Sequence, residues 1–302
     1  MSSDAAPAVT APPFRLRAAG HLFGACRPLQ WTKNLLVFAG ILFSANLDDG
    51  ERWVAAWTCF AAYCAASSAA YLLNDVRDRA VDAAHPVKRR RAIAAGRVSA
   101  RSAVLLALVL FALAAVLGAG LGLASLALLA VFVVLQGAYT FALKEVVIVD
   151  VLAIAGLFVV RAAAGAAAVD VPISAWLLLC TALLASFLAL GKRRAELLLV
   201  EANETSGRRV LQRYSHVGLD RALAAVGAVT VAVYTAYTLV GRDSPALVVT
   251  VPLVAFGIGR YAFLLRRPGG GEEPDQVLLT DWPLLVTICV WAAACALIPV
   301  FE

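Results

Sequence analysis

The sequence predicts an all-α integral membrane protein of about nine transmembrane helices with its amino terminus in the cytoplasm, and three observations predict it. Hydrophobic residues make up 62% of the 302 residues, and the mean hydropathy is +0.83, far above the apolar share of an ordinary soluble domain. Apolar runs recur along the chain at lengths near the roughly twenty residues that cross a hydrocarbon core. The Lys and Arg residues collect in alternate connections between those runs, as the positive-inside rule requires of the cytoplasmic side.

Residues 1–26 are expected to form a disordered or interfacial segment, and residues 27–302 a single multi-pass membrane domain. Met1–Pro13 is rich in Ala, Pro and Ser and has no signal-peptide pattern. The runs fall at 34–47, 53–74, 102–119, 121–141, 146–168, 174–191, 221–240, 245–264 and 279–299. The first is short for a span, and the junction from Gly118 to Gly122 is tight. Small residues inside spans, such as Gly156, Gly165 and Ala162 to Ala164, suit close helix packing. Cys26, Cys59, Cys64, Cys180, Cys289 and Cys295 form no CxxC pair and read as packing residues. His21 and His216 stand alone; only His85 has chemically suggestive neighbours, and no glycine-rich nucleotide loop is present.

The basic residues set the orientation. Arg15, Arg17, Arg27 and Lys33 precede the first span, eight Lys or Arg lie from Arg77 to Arg101, and seven lie from Lys192 to Arg221. Lys144 follows the fourth span, and Arg260, Arg266 and Arg267 close the eighth, whereas the alternate loops hold only Arg52 and Arg242. Nine spans put every rich segment on one side and the carboxyl terminus outside. The pI of about 9.2 is therefore a topological signature and calls for no nucleic-acid partner.

The most informative stretch is NDVRDRAVDAAHPVKRRR, from Asn74 to Arg91. Asp75, Asp78 and Asp82 stand at i, i+3 and i+7, so a continued helix carries all three, with Asn74, on roughly one face. A charged loop after a span is usually topogenic, but sorting gives no reason for three clustered acids, which repel unless a cation neutralises them. Hard oxygen donors at this spacing suit Mg²⁺, which shares its coordination with substrate phosphates, so a diphosphate is the expected partner. Lys88 and the arginines through Arg91 add fixed charge for phosphate oxygens. Upstream, Lys33 is either a phosphate ligand or, with Trp31, an interfacial anchor, and Tyr71 either reaches the same pocket or marks the interface.

The pattern from Asn74 through Asp75, Asp78, Asp82, His85 and Pro86 to Lys88 resembles the first aspartate-rich motif of the UbiA-type intramembrane prenyltransferase superfamily. That resemblance implies a nine-helix bundle with a cytoplasmic active site. RPLQWTKN at Arg27 to Asn34, YTFALKEVVIVD at Tyr139 to Asp150, and the segment from Arg161 through PISAW to LGKRRAEL at Leu190 to Leu197 are similar to the branch that moves phosphoribose onto decaprenyl phosphate. Where aromatic prenyltransferases of the superfamily carry a second aspartate pair, this chain reads Lys192-Arg193-Arg194-Ala195-Glu196. Mostly positive charge there suits direct capture of phosphate.

The resemblance implies Mg²⁺ held by Asn74, Asp75, Asp78 and Asp82, and phosphates clamped by Lys33, Lys88, Arg91, Lys192 and Arg193. Lys144 and Tyr139 are expected to hold a lipid phosphate. Arg161, costly inside a span when unpaired, should meet phosphate or Asp150. The implied partners are phosphoribosyl pyrophosphate, a polyprenyl phosphate and the bilayer of a bacterial inner membrane; assembly into a homo-oligomer stays open. Two other readings compete: a prenyltransferase that takes a prenyl diphosphate and an aromatic acceptor, and a transporter. Against the transporter, the charges gather on one side, and no inverted pair of broken helices is evident.

Overall fold

The computed structural model describes residues 14–43, 47–84, 88–201, 211, 213–241, 245–267 and 274–298. Met1–Pro13 and His85 lie outside the described residues. The described chain is helical, with no strand: α1 Phe14–Ala25, a 3-10 segment Pro28–Phe38, α2 Ala39–Leu42, α3 Gly50–Arg77, α4 Arg79–Ala84, α5 Ala100–Gly120, α6 Leu123–Phe141, α7 Val149–Ala168, α8 Ala175–Glu201, α9 His216–Val240, α10 Val251–Leu264, α11 Pro274–Thr280 and α12 Trp282–Leu297.

Seven of the described helices are long and apolar enough to cross a membrane, and Trp282–Leu297 is a shorter apolar one. The remaining run, at 34–47, departs from expectation. It is the end of the 3-10 segment followed by the single turn of α2. Pro28 starts this segment after Arg27, whose φ of 53° is left-handed. The segment runs alongside α7, where glycine makes room for it. A Cβ on Gly165 would stand 1.8 Å from the Val37 carbonyl oxygen, and one on Gly40 would stand 2.7 Å from the Ala166 backbone. Only glycine allows an approach this close.

Short polar residues start three of the long helices. Asp49 accepts from the amides of Glu51 and Arg52 at 2.9 and 3.1 Å, and Ser99 and Ser215 cap α5 and α9 in the same way. One apolar cluster joins α3, α6 and α7 around Cys59, Tyr63, Ala66, Phe132 and Leu157. A second joins α8, α9, α10 and α12 around Phe187, Leu219, Tyr261 and Leu284. Trp31, an interfacial anchor in one of the two readings of its stretch, is half-buried and donates to Ser68 Oγ at 3.0 Å. All six cysteines are free, and four of them are buried as packing residues.

Candidate functional site

Between the two clusters lies a cavity of about 2030 Å³ that joins a charged mouth to an apolar interior. The mouth is built where α3 ends. Its amide-to-carbonyl bonds continue from Asp78 to Asn74 (2.9 Å) and from Asp82 to Asp78 (2.8 Å), so the chain keeps a helical path through the one-residue interruption at Asp78. Residues four apart share a face on such a path. Asn74, Asp78 and Asp82 accordingly line the cavity together with Lys33, Tyr71, Lys88, Arg91, Tyr139, Lys144, Lys192 and Glu196.

Asp75 corrects the expectation of three acids on one face. About a hundred degrees round the helix from Asn74, it is buried and turned toward α1, where Arg27 meets it at 2.5 Å and Arg91 at 3.3 Å. Arg91 also holds Asp82 at 2.6 Å. Two of the three carboxylates are thus balanced by arginine, and among the described residues no three His, Cys, Asp or Glu side chains gather as a metal site. Asn74 and Asp78, with Asp82 beside them, remain hard oxygen donors on the cavity wall. That set fits Mg²⁺, which commonly takes one or two carboxylates and completes its shell with water and substrate phosphate.

Arg193 is a second correction. On α8, Lys192 and Glu196 are four apart and face the cavity, whereas Arg193 points away and is fully buried. Its Nε pairs with Asp150 at 2.8 Å, it also bonds Glu196, and it donates to the Tyr139 hydroxyl at 3.2 Å. Asp150 accepts from the Tyr214 hydroxyl at 2.7 Å, and that oxygen accepts from the Ile148 amide at 2.9 Å. Burial pushes the Tyr214 phenol up to about 12, which keeps it a donor. Arg193 and Asp150 therefore tie α6, α7, α8 and the entry to α9 behind the cavity wall, and neither lines the cavity.

Arg161 does not meet Asp150. It lines the cavity, its Nε donates to Asn34 Oδ1 at 2.8 Å, and its Nη1 donates to the Leu157 carbonyl at 2.9 Å. Asn34 is a residue the sequence did not single out, although it opens the apolar run at 34–47 as its one polar side chain before Ser44. The interior wall was equally silent. Tyr234, Tyr237, Gly257, Leu284 and Trp291, from the three last apolar segments, line the cavity. Trp291 Nε1 donates to the Tyr234 hydroxyl at 2.9 Å, which lies 2.7 Å from Thr250 Oγ1.

A helical membrane protein with a large cavity that carries acids and lysines at its mouth and apolar side chains within is built to hold an amphiphile with an anionic head. The chain belongs to the UbiA prenyltransferase family, whose pattern it matches over residues 34–280. It is 35% identical over 306 residues to the decaprenyl-phosphate phosphoribosyltransferase of Mycolicibacterium smegmatis, covering 96% of this chain and 95% of that one. The enzyme of the same name from Corynebacterium glutamicum is 34% identical over 285 residues, covering 90% of this chain and 85% of that one. The UbiA homolog from Archaeoglobus fulgidus bound to GPP and Mg²⁺ shares the fold with a TM-score of 0.72 at 17% identity, over 93% of this chain and all of that one.

Proposed function

We propose that the protein transfers 5-phosphoribose from phosphoribosyl pyrophosphate to a polyprenyl phosphate such as decaprenyl phosphate, releasing pyrophosphate, at the cytoplasmic face of a bacterial inner membrane. The observation that carries this reading is the continuity of the cavity. Its apolar depth suits an isoprenoid, and its mouth offers Lys33, Lys88, Lys144 and Lys192 to phosphate groups from both substrates. Relatives at this identity over nearly their whole length carry the same activity in their names.

The reaction forms a bond between a lipid phosphate oxygen and the anomeric carbon and breaks the bond from that carbon to pyrophosphate. Asn74 and Asp78, with Asp82 beside them, would hold Mg²⁺, which when bound would neutralise charge on the leaving group. Lys88 and Lys33 stabilise the same oxygens as negative charge builds on them. Lys144, beside Tyr139, and Lys192 hold the lipid phosphate on the opposite side of the sugar. That phosphate is already an anion at neutral pH, so the step needs no general base. A single displacement from the α-configured donor gives a β-configured product by inversion; retention of configuration in the product would sink this step.

The test is label transfer from phosphoribosyl pyrophosphate to a polyprenyl phosphate in detergent, with Mg²⁺ and with excess chelator, for the wild type and Asp78→Ala. Lipid labelling that requires metal and falls at least a hundredfold in the variant is expected. Activity instead from a prenyl diphosphate and an aromatic acceptor would overturn the reading.

A further inference from the structure

Arg161 is a cation at membrane depth with no carboxylate to balance it among the described residues. Twelve residues into α7, it lies about 18 Å along the helix from Val149 at 1.5 Å per residue, and it is 4% exposed. The rings of Phe132 and Phe158 lie 4.6 and 5.4 Å from its Cζ. Asn34 and the Leu157 carbonyl orient it through Nε and Nη1. Each of these contacts fixes the direction of the charge, and none cancels it. An uncompensated buried charge is strongly destabilising, so a protein that keeps one has another partner for it. Nη2 has no protein partner among the described residues, and the side chain lines the cavity.

Asn34 is a positioning residue in this arrangement. Fully buried, it donates through Nδ2 to Cys64 Sγ at 3.3 Å, the Ser67 hydroxyl lies 3.5 Å from both its Nδ2 and its Oδ1, and the shortest contact of Oδ1 is with Arg161 at 2.8 Å. An aspartate of the same shape would neutralise the guanidinium; the amide aims it and leaves its charge available. Ser67, Tyr71, Asn74 and Asp78 climb α3 in steps of about one turn. Arg161 is therefore below the acids, with Tyr71 between them on the cavity wall.

We propose that Arg161, aimed by Asn34, forms a phosphate subsite at membrane depth and that it takes the 5-phosphate of the sugar donor; this rests on the phosphoribosyl-transfer reading above. Two phosphates could supply the anion, and their chemistry separates them. The lipid phosphate loses negative charge as its oxygen bonds to carbon. A desolvated arginine would hold its ground state more tightly than its transition state and slow the reaction. The 5-phosphate keeps its charge throughout. It can be gripped in a low-dielectric site without penalty to the chemical step, and its binding energy places the anomeric carbon.

Ribose 5-phosphate and pyrophosphate serve as separate probes of the two ends of the donor, read as inhibitors of label transfer by the full-length protein in detergent. Arg161→Gln and Asn34→Asp are expected to weaken inhibition by ribose 5-phosphate at least tenfold. Inhibition by pyrophosphate and the KM for polyprenyl phosphate should stay within twofold. Asn34→Asp supplies a counter-charge, so its thermal midpoint should match or exceed the wild type's, which separates lost binding from lost fold. A raised KM for polyprenyl phosphate with ribose 5-phosphate inhibition intact would assign the subsite to the lipid and overturn the proposal, as would no change in either. On the wild type alone, ribose 5-phosphate but not ribose should raise the thermal midpoint, and saturating polyprenyl phosphate should leave that rise in place. Competition between the two overturns the subsite. Wild-type protein that transfers no phosphoribose overturns the reading beneath it, whereas transfer with unmoved ribose 5-phosphate inhibition in the variants overturns the subsite alone.

Discussion

Arg161 and Arg193 are buried arginines on neighbouring helices, and they are held in opposite ways. Arg193 has two acids, Asp150 and Glu196, and a tyrosine hydroxyl. Arg161 has an amide, a backbone carbonyl and two aromatic rings. The first arrangement neutralises a charge and closes it off from the cavity. The second orients a charge and leaves it facing the cavity. Burial alone therefore does not distinguish a structural arginine from a ligand-binding one; the chemical type of its partners does.

The largest expected effect breaks the closed side of this pair. Asp150→Asn leaves Arg193 buried with only Glu196 to balance it and weakens the junction of α7 with α8 and the entry to α9. Breaking a buried pair by removing one partner costs about 3–5 kcal/mol, and the remaining acid puts this case toward the lower end of that range. The thermal midpoint in detergent should fall sharply, and the double variant Asp150→Leu with Arg193→Met should recover part of it, because an apolar pair removes the stranded charge. A midpoint unchanged in Asp150→Asn would contradict a structural role.

How far these roles could be read from sequence depends on helix phase. The run from Asn74 to Asp82 was legible because acids of that density have few explanations, and Lys192 and Glu196 were legible as replacements at a marked position. Arg193, adjacent to Lys192, was grouped with it because residue type carries no direction. A turn of about a hundred degrees sends it to Asp150 on α7. Asp75 was misplaced for the same reason. The long apolar helices were plain from composition, but the 3-10 form of Pro28–Phe38 was not, since its close approach to α7 depends on Gly40 and Gly165. The cavity walls contributed by α9, α10 and α12 had no signal at all: Leu284 and Tyr234 are of the same types whether they face lipid, a neighbour or a ligand.

The open side of the pair can be broken without touching either arginine. Gly165→Ala puts a methyl group 1.8 Å from the Val37 carbonyl oxygen and 2.6 Å from its carbon. Those are backbone atoms, so the segment carrying Lys33 and Asn34 must move. Overpacking of this kind costs about 1–3 kcal/mol, a smaller loss than the broken pair. Because Asn34 shifts with the segment, the KM for the sugar donor should rise by more than the stability loss alone explains. Kinetics at a temperature well below the variant's midpoint would check this; a normal KM there would detach Asn34 from the aim of Arg161.

A third arginine supplies the exposed limit of the comparison and the smallest effect. Arg260 bonds Asp281 through two nitrogens, at 3.1 and 2.7 Å, and Asp281 also caps α12 by accepting from the Leu284 amide at 3.1 Å. The hydrogen bonds from Arg260 hold the Asp281 carboxyl below the usual carboxylate range. A group whose folded pKa is depressed contributes stability above its unfolded value and loses it as pH falls through the folded one. The pair is close to solvent, so salt and water screen most of its attraction. Arg260→Gln should therefore lower the thermal midpoint only slightly at pH 7. The gap from wild type should hold down to roughly pH 5 and shrink below about pH 4, as the carboxylate range of an unfolded chain is entered. Thermal melts in detergent across that range would show it. A gap that widened on acidification would mean that Arg260 acts through something other than the ionised carboxylate.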